Sequence, residues 1–332
     1  MTVTIKDIAR AADVSIATVS RVLNNKADGI TEETKAKIRK AVKELNYRPN
    51  AIARGLITKK THTIGLVLPD ISNPFFPEIA RGVEDVAKEA GYNVFLCNTD
   101  DDSKKERGYV KALRERQVDG IIFTASALKN SEDITEHVGK MPFILVDRKP
   151  DNLPDAPGVF LDNLKGGYLA AKHLIEKGHR EIALISGPLQ SYNARQRLEG
   201  FKKALQEAGI RYKDKLIREG DYKRSGGYRA MEKLLREGVE FTAVFASNDL
   251  MAVGVMEMLR EKGIAIPEQV AVVGFDNIYL STVVAPRLTT ISQPTYQMGA
   301  QAAQMLLTCL QGRELDEKQK VFSPQLIIRE SS

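Results

Sequence analysis

The chain has 332 residues, 43% of them hydrophobic, and a formal net charge of +6. That is longer than one average domain and rich enough in apolar residues for separate cores, yet no run of about 18 apolar residues suggests a membrane span. The N-terminus has no apolar h-region or small-residue cleavage site, and Cys97 and Cys309 stand far apart without CxxC spacing, so no signal peptide, disulfide framework, metal site or cofactor is expected, and the expected compartment is the cytoplasm. The charge is uneven. Residues 1–60 hold 13 of the 49 Lys+Arg and 6 of the 43 Asp+Glu, leaving 36 basic and 37 acidic residues for the rest. A basic head on a near-neutral body is the footprint of a nucleic-acid-binding segment attached to a separate body.

The stretch Thr4 to Asn24, TIKDIARAADVSIATVSRVLN, carries two short helical patterns. Ile5, Ile8 and Ala9 recur at helix spacing, as do Ala17, Val19, Val22 and Leu23. Thr4 with Asp7, and Ser15 with Thr18, supply start signals, and Ala12-Asp13-Val14 is too short for a loop with structure of its own. Two helices so joined describe a helix-turn-helix, whose second helix enters the DNA major groove. A third helix is expected from about Glu32 to Asn46, with Thr31 as cap and Ile38, Val42 and Leu45 as its apolar stripe. Tyr47-Arg48-Pro49-Asn50 ends it, because the residue before a proline disfavours the helical region. Ala51 to Ile57 allows one or two helical turns, too short to hold alone in water and weakened by Gly55, and is read as a hinge that orders on binding.

From Thr63 the pattern changes to apolar strands alternating with helices: IGLVLPD, YNVFLCNTD, DGIIFTAS and MPFILVDR, then EIALISG, a strand near Lys215, TAVFAS and VAVVGFDN. This is α/β with mainly parallel sheets. Two lobes are expected, near 63–162 and 163–290, and a last portion (TTISQP, helix 294–311, strand VFSPQLII) completes either sheet. Such lobes take ligands at the carboxyl ends of their strands. Asn73, Phe75 and Phe76, Asp147 and Arg148, Tyr222, Asn248 and Asp249, Phe275 and Asp276 fall there, with Gln293 at a late crossover and Arg195 near a helix start. Asp, Asn, Arg and Gln match the paired donors and acceptors of vicinal sugar hydroxyls, and aromatic rings cover sugar C–H faces. Singly, Asn248-Asp249 is equally a helix cap, and Phe75-Phe76 reads more readily as plain core. Catalysis finds no support: GxSxG, HExxH and P-loop patterns are missing, and His62, His137, His173 and His179 lie in unrelated contexts.

TIKDIARAADVSIATVSRVLN, ELNYRPNAIARGL and the two-lobed body together resemble the lactose-repressor/galactose-repressor family of bacterial transcription regulators over essentially the whole chain. The resemblance implies a three-helix DNA-binding head over 1–48 and a hinge helix and linker over 49–61. It also implies a periplasmic-binding-protein-like body over 62–332, with an N-lobe of about 62–162 and 292–322 and a C-lobe of about 163–291 and 323–332, joined by three crossovers. It implies a homodimer on double-stranded, pseudo-palindromic operator DNA and no membrane partner. Ile16, Ala17 and Arg21 match the family's base-reading positions, Arg21 as a bidentate guanine contact and the other two as apolar contacts. Ser15, Thr18, Ser20 and Asn24 suit phosphate contacts, Thr4 and Asn50 join the DNA-contacting set, and Leu56 with Ala53 matches the minor-groove wedge. In the cleft, Arg195, Asn248 and Asp276 match positions common to sugar-responsive members. Asn73, Phe75, Phe76, Asp147, Arg148, Tyr222, Phe275 and Gln293 look like the ribose set of the periplasmic ribose-binding protein, except that Tyr222 stands where that set has phenylalanine. Ribose is therefore the implied effector and a ribose operon the implied target. A global carbon-catabolite regulator with a phosphorylated carrier protein as co-effector, and a regulator of another pentose or hexose operon, are the alternatives within the family. A transport component and a sugar-metabolising enzyme are the alternatives outside it.

Overall fold

The computed structural model describes residues 3–23, 27–47, 60–125, 137–151 and 153–332. The chain divides into two compact units, Met1–Thr61 and His62–Ser332.

The first unit holds α1 (Ile5–Ala11), α2 (Ile16–Leu23) and α3 (Glu32–Glu44). The Asp7 carboxylate accepts from the Thr4 amide at 2.9 Å and the Thr4 hydroxyl at 2.7 Å. The Ser15 hydroxyl caps α2 by accepting from the Thr18 amide at 3.0 Å, and the Thr31 hydroxyl caps α3 from the Thr34 amide at 3.3 Å. The turn between α1 and α2 is a Schellman stop: Asp13 takes a left-handed φ of 52°, and the Val14 amide reaches back to Ala9 O at 3.0 Å. Aspartate tolerates that conformation better than most side chains, so the break needs no glycine. The same device ends α3 earlier than expected. Asn46 has φ 48° and the Tyr47 amide bonds Val42 O at 2.9 Å. Leu45 is therefore a half-exposed cap residue, and Ala41 takes its place beside Ile38 in the core. That core is Ile8, Ala9, Ala12, Val19, Val22, Ile38 and Ala41. Ala17 is exposed, because the inward face of α2 is set by Val19 and Val22, three apart.

The second unit has two six-stranded sheets. The N-lobe sheet contains β1 (Thr63–Leu68), β2 (Asn93–Asn98), β3 (Gly120–Phe123), β4 (Phe143–Val146), β5 (Gly158–Leu161) and β11 (Gln319–Phe322), in the order β11-β5-β4-β3-β1-β2. The C-lobe sheet contains β6 (Ile182–Ser186), β7 (Ile217–Glu219), β8 (Ala243–Ala246), β9 (Ala271–Asp276), β10 (Thr289–Ser292) and β12 (Gln325–Ile327), in the order β12-β10-β9-β8-β6-β7. The two orders repeat one doubly wound pattern, whose switch points lie after β1 and after β6. Every pairing is parallel except β10 with β12. The expected single strand VFSPQLII is two: Pro324 lacks a donor, and the chain changes lobes there between β11 and β12. The last portion thus serves both sheets.

Helices cover both sheets. On the N-lobe lie α4 (Phe75–Glu89), α5 (Ser103–Glu115) and α11 (Thr295–Leu310); on the C-lobe lie α6 (Asn163–Glu176), α7 (Tyr192–Glu207), α8 (Arg224–Arg236), α9 (Asp249–Glu261) and the short α10 (Leu280–Val283). The chain passes between lobes after β5, after β10 and after β11, so the lobes share one hinge side and face each other across a cleft. The helix expected before β4 falls largely on residues 126–136, outside the described residues.

Candidate functional site

The cleft closes on a small cavity of about 40 Å³, lined by Asn73, Phe75, Phe76, Asp147 and Arg148 from the N-lobe and Asn193, Arg197, Tyr222, Asn248 and Asp276 from the C-lobe, with Gln293 on a crossover and Asp70, Asp101, Asp221 and Lys223 completing the lining. Apart from Arg197, in the second turn of α7, each sits at or just past a strand end or at a helix start, because parallel sheets send all their strand ends the same way. Asn73 Oδ1 accepts from the Phe75 amide at 3.1 Å and holds the start of α4, where Phe75 and Phe76 pack edge to face with centroids 5.0 Å apart. Asn248 is both cap and lining: its Oδ1 accepts from the Met251 amide at 3.0 Å, and its Nδ2 donates to Tyr222 O at 2.9 Å. Tyr222 has room only because Gly187 has no side chain, since a Cβ there would strike the Tyr222 ring.

The cavity's charge is organised by an arginine that the sequence reading missed. Arg197 is 3% exposed. Its Nε donates to Asn163 Oδ1 at 2.8 Å, one terminal nitrogen donates to Ser247 O at 2.5 Å, and its guanidinium carbon lies 3.6 Å from the Phe275 ring centroid. Arg195, expected in the cleft, instead turns to the rim and pairs with Asp151. The buried side of α7 runs Asn193, Arg197, Phe201 and Leu205, in steps of four. Arg195, two residues from Arg197, points elsewhere, and the helical period could have shown this. Phe275 is also corrected: it is fully buried, beneath Arg197 and against Phe245, and does not line the cavity. Asn193 was also missed, as were Asp70, Asp101, Asp221 and Lys223, which join the lining.

The acids carry the cost of burial. Asp276 Oδ1 accepts from Gln293 Nε2 at 2.7 Å, and desolvation drives this carboxyl well above the ordinary range, with Arg197 opposing. Desolvation also raises Asp147, against Arg148 and then Arg197. Behind them Asp249 accepts from the Thr290 hydroxyl at 2.6 Å and the Ile278 amide at 2.9 Å, and burial raises it to about 7. Asp147, Tyr222 and Asp276 all have positive φ, at 68°, 62° and 113°, which is backbone strain concentrated where the side chains must converge. Among the described residues, Asn193 Oδ1 and Gln293 Oε1 are buried without a protein partner. Buried polar atoms are ordinarily bonded, so these acceptors point to donors on a ligand.

In the head, Ile16, Ala17 and Arg21 are exposed on α2, with Ala17 and Arg21 one turn apart. Arg21 donates to Asp28 O at 2.8 Å. The Ser15 and Thr18 hydroxyls bond each other at 2.8 Å, Thr4 is exposed, and Ser20 is half-buried. Asn24, Asn50, Ala53 and Leu56 lie outside the described residues.

A separate helix-turn-helix unit and a two-lobed body closing on a polar, buried cavity define a ligand-responsive DNA-binding regulator. The description of bacterial regulatory proteins of the lacI family matches residues 4–50, and that of periplasmic binding proteins and the sugar binding domain of the LacI family matches residues 61–329. The chain is 43% identical to the HTH-type transcriptional regulator RegA of Clostridium saccharobutylicum, covering 100% of both chains. It is 40% identical to catabolite control protein A of Priestia megaterium, covering 98% of both, and 39% identical to the ribose operon repressor of Halalkalibacterium halodurans, covering 99% of this chain and 97% of that one. Among solved structures, the lac repressor dimer bound to operator and the anti-inducer ONPF superposes with a TM-score of 0.88 at 29% identity, covering 100% of this chain and 99% of that one. A LacI family regulator from Enterococcus faecium with bound ribose gives 0.74 at 36% identity, covering 81% and 98%. The chain belongs to the LacI family and is a DNA-binding, sugar-responsive transcriptional regulator.

Proposed function

We propose that this protein is a cytoplasmic homodimeric repressor of a sugar operon, released from a pseudo-palindromic operator when ribose binds between the lobes. The observation that carries the ligand is the buried cavity polarity: carboxylates, an arginine and amides of both donor and acceptor kind, with Asn193 Oδ1 and Gln293 Oε1 still unpartnered among the described residues. Vicinal hydroxyls both donate and accept, so a small polyol satisfies such a set and an apolar ligand leaves it unpaired. The Phe75–Phe76 pair offers an apolar wall for the ring. The 36% identical regulator with bound ribose supports ribose over larger sugars. Exposed Phe95 and Leu96 on edge strand β2, and Tyr279 and Val283 on the C-lobe, support self-association. Ile16, Ala17 and Arg21 are the assigned base readers, and Ser15, Thr18 and Ser20 the phosphate contacts.

Calorimetric titration with ribose and other pentoses, followed by operator titration at fixed salt with and without the bound sugar, tests the reading. No pentose binding at millimolar concentration refutes the effector, and tighter operator binding with ribose makes it a corepressor. The likeness to a catabolite control protein favours a second reading, in which a phosphorylated carrier protein tightens operator binding. Adding that carrier to the same operator titration separates the two.

A further inference from the structure

Two segments grip each other across the cleft in two layers: residues 147–151, after β4 of the N-lobe, and the first turn of α7 in the C-lobe. In the inner layer Asn193 Nδ2 donates to Asp147 O at 3.2 Å and Oδ1 at 3.1 Å. Both residues are buried and line the cavity. In the outer layer Arg195 bonds both carboxylate oxygens of Asp151. Neither of these side chains lines the inner cavity, and they are 36% and 61% exposed. Arg195 is also held by its own lobe. One terminal nitrogen donates to Leu189 O at 3.1 Å and Gln190 O at 2.8 Å, which aims the guanidinium at the opposite lobe. A planar fork fixed in this way loses little freedom when it meets a carboxylate.

We propose that Arg195 and Asp151 form a clasp, a positioning pair that favours the closed lobes without touching the effector. This rests on the reading of the cleft as an effector site. A ligand enclosed by both lobes binds the closed state, so its apparent affinity scales with the closed fraction. An ion pair made only between the lobes raises that fraction. The pair is exposed, so the gain is modest and screened by salt. The inner Asn193–Asp147 pair differs, because its loss changes the chemistry of the cavity as well as closure.

The test is ribose titration of the full-length protein by calorimetry, at low and high salt, for the wild type, Arg195→Gln, Asp151→Asn and the double variant. Each single change is expected to weaken ribose binding about two- to fivefold at low salt. The double variant is expected to be no weaker than either single one, and the differences are expected to shrink at high salt. Asp151→Glu should keep most of the wild-type affinity, and the thermal midpoints should stay together. Additive losses, or an effect of Arg195→Gln unmatched by Asp151→Asn, would overturn the clasp. Failure of the wild type to bind ribose would overturn the functional reading instead. The clasp is then judged by hydrogen exchange of the ligand-free protein: faster exchange in residues 148–151 and 187–192 of both single variants supports it, and unchanged exchange refutes it.

Discussion

In the head, α2 turns an isoleucine that is 44% exposed, an alanine and an arginine outward, while the body buries Asp147, Asp276, Asn193 and Arg197 to between 3 and 7% exposure. The two recognition surfaces thus reverse the usual placing of apolar and charged residues, in opposite senses. The ligands explain why. A DNA groove encloses whatever enters it, so the reader must protrude and carry its apolar contact on its surface. A small sugar has no groove of its own, so the protein must enclose it and match each hydroxyl in a site shielded from water. One consequence is that errors at the exposed Ile16, Ala17 and Arg21 cost binding only. Errors in the cleft also cost stability, because a buried charge loses its counterpart.

The strongest way to break this contrast is Arg197→Met. Removing the guanidinium leaves Asp147 and Asp276 without their shared cation, and a loss of about 3–5 kcal/mol is expected in denaturant unfolding, together with loss of sugar binding. Unchanged stability would mean that the carboxyls are already neutral. A second measurement uses pH. The folded Asp249 titrates at about 7, above its ordinary 3.8, so folding takes up a proton between those values. Its contribution is full below about pH 4, falls as pH rises to 7, and is flat beyond, with a slope of at most about 1.4 kcal/mol per pH unit. Thermal unfolding from pH 5 to 8 should show this fall in the wild type and a smaller one in Asp249→Asn, where the raised Asp147 and Asp276 still contribute. On the head, Arg21→Ala should cost about 1–3 kcal/mol of discrimination at one base pair while leaving unfolding unchanged. Equal weakening on every operator variant would make Arg21 a phosphate contact. The smallest effect is Thr31→Ala, which removes the cap of α3 and should lower head stability by about 1 kcal/mol by circular dichroism.

Much of both surfaces was legible. Thr4, Ser15 and Thr31 mark the helix starts through bonds spanning three residues, a range any local reading covers. Asn73, Asp147, Tyr222, Asn248 and Asp276 could be placed because parallel strands all release their loops toward one end. Arg195 could not be told from Arg197 by composition or proximity to a helix start; only the phase of α7 separates the rim from the cavity. Phe275 was misplaced for a related reason, since consecutive residues of a strand face opposite sides and the one beside Asp276 supports Arg197 from behind.

By itself the sequence determined the three-helix head, the alternating strands and helices of the body, and the crowding of polar residues at strand ends, because capping, periodicity and turn chemistry act over a few neighbours. The tertiary structure shows at Pro324 the division of the last strands between two sheets, which strand patterning did not reveal and only the family resemblance implied. It also decided that Arg197 rather than Arg195 is the buried cation beside Asp147 and Asp276, and that residues 147–151 meet α7 across the cleft. These depend on which faces two separately folded sheets turn toward each other, and contacts between segments tens of residues apart leave no periodic trace in either segment.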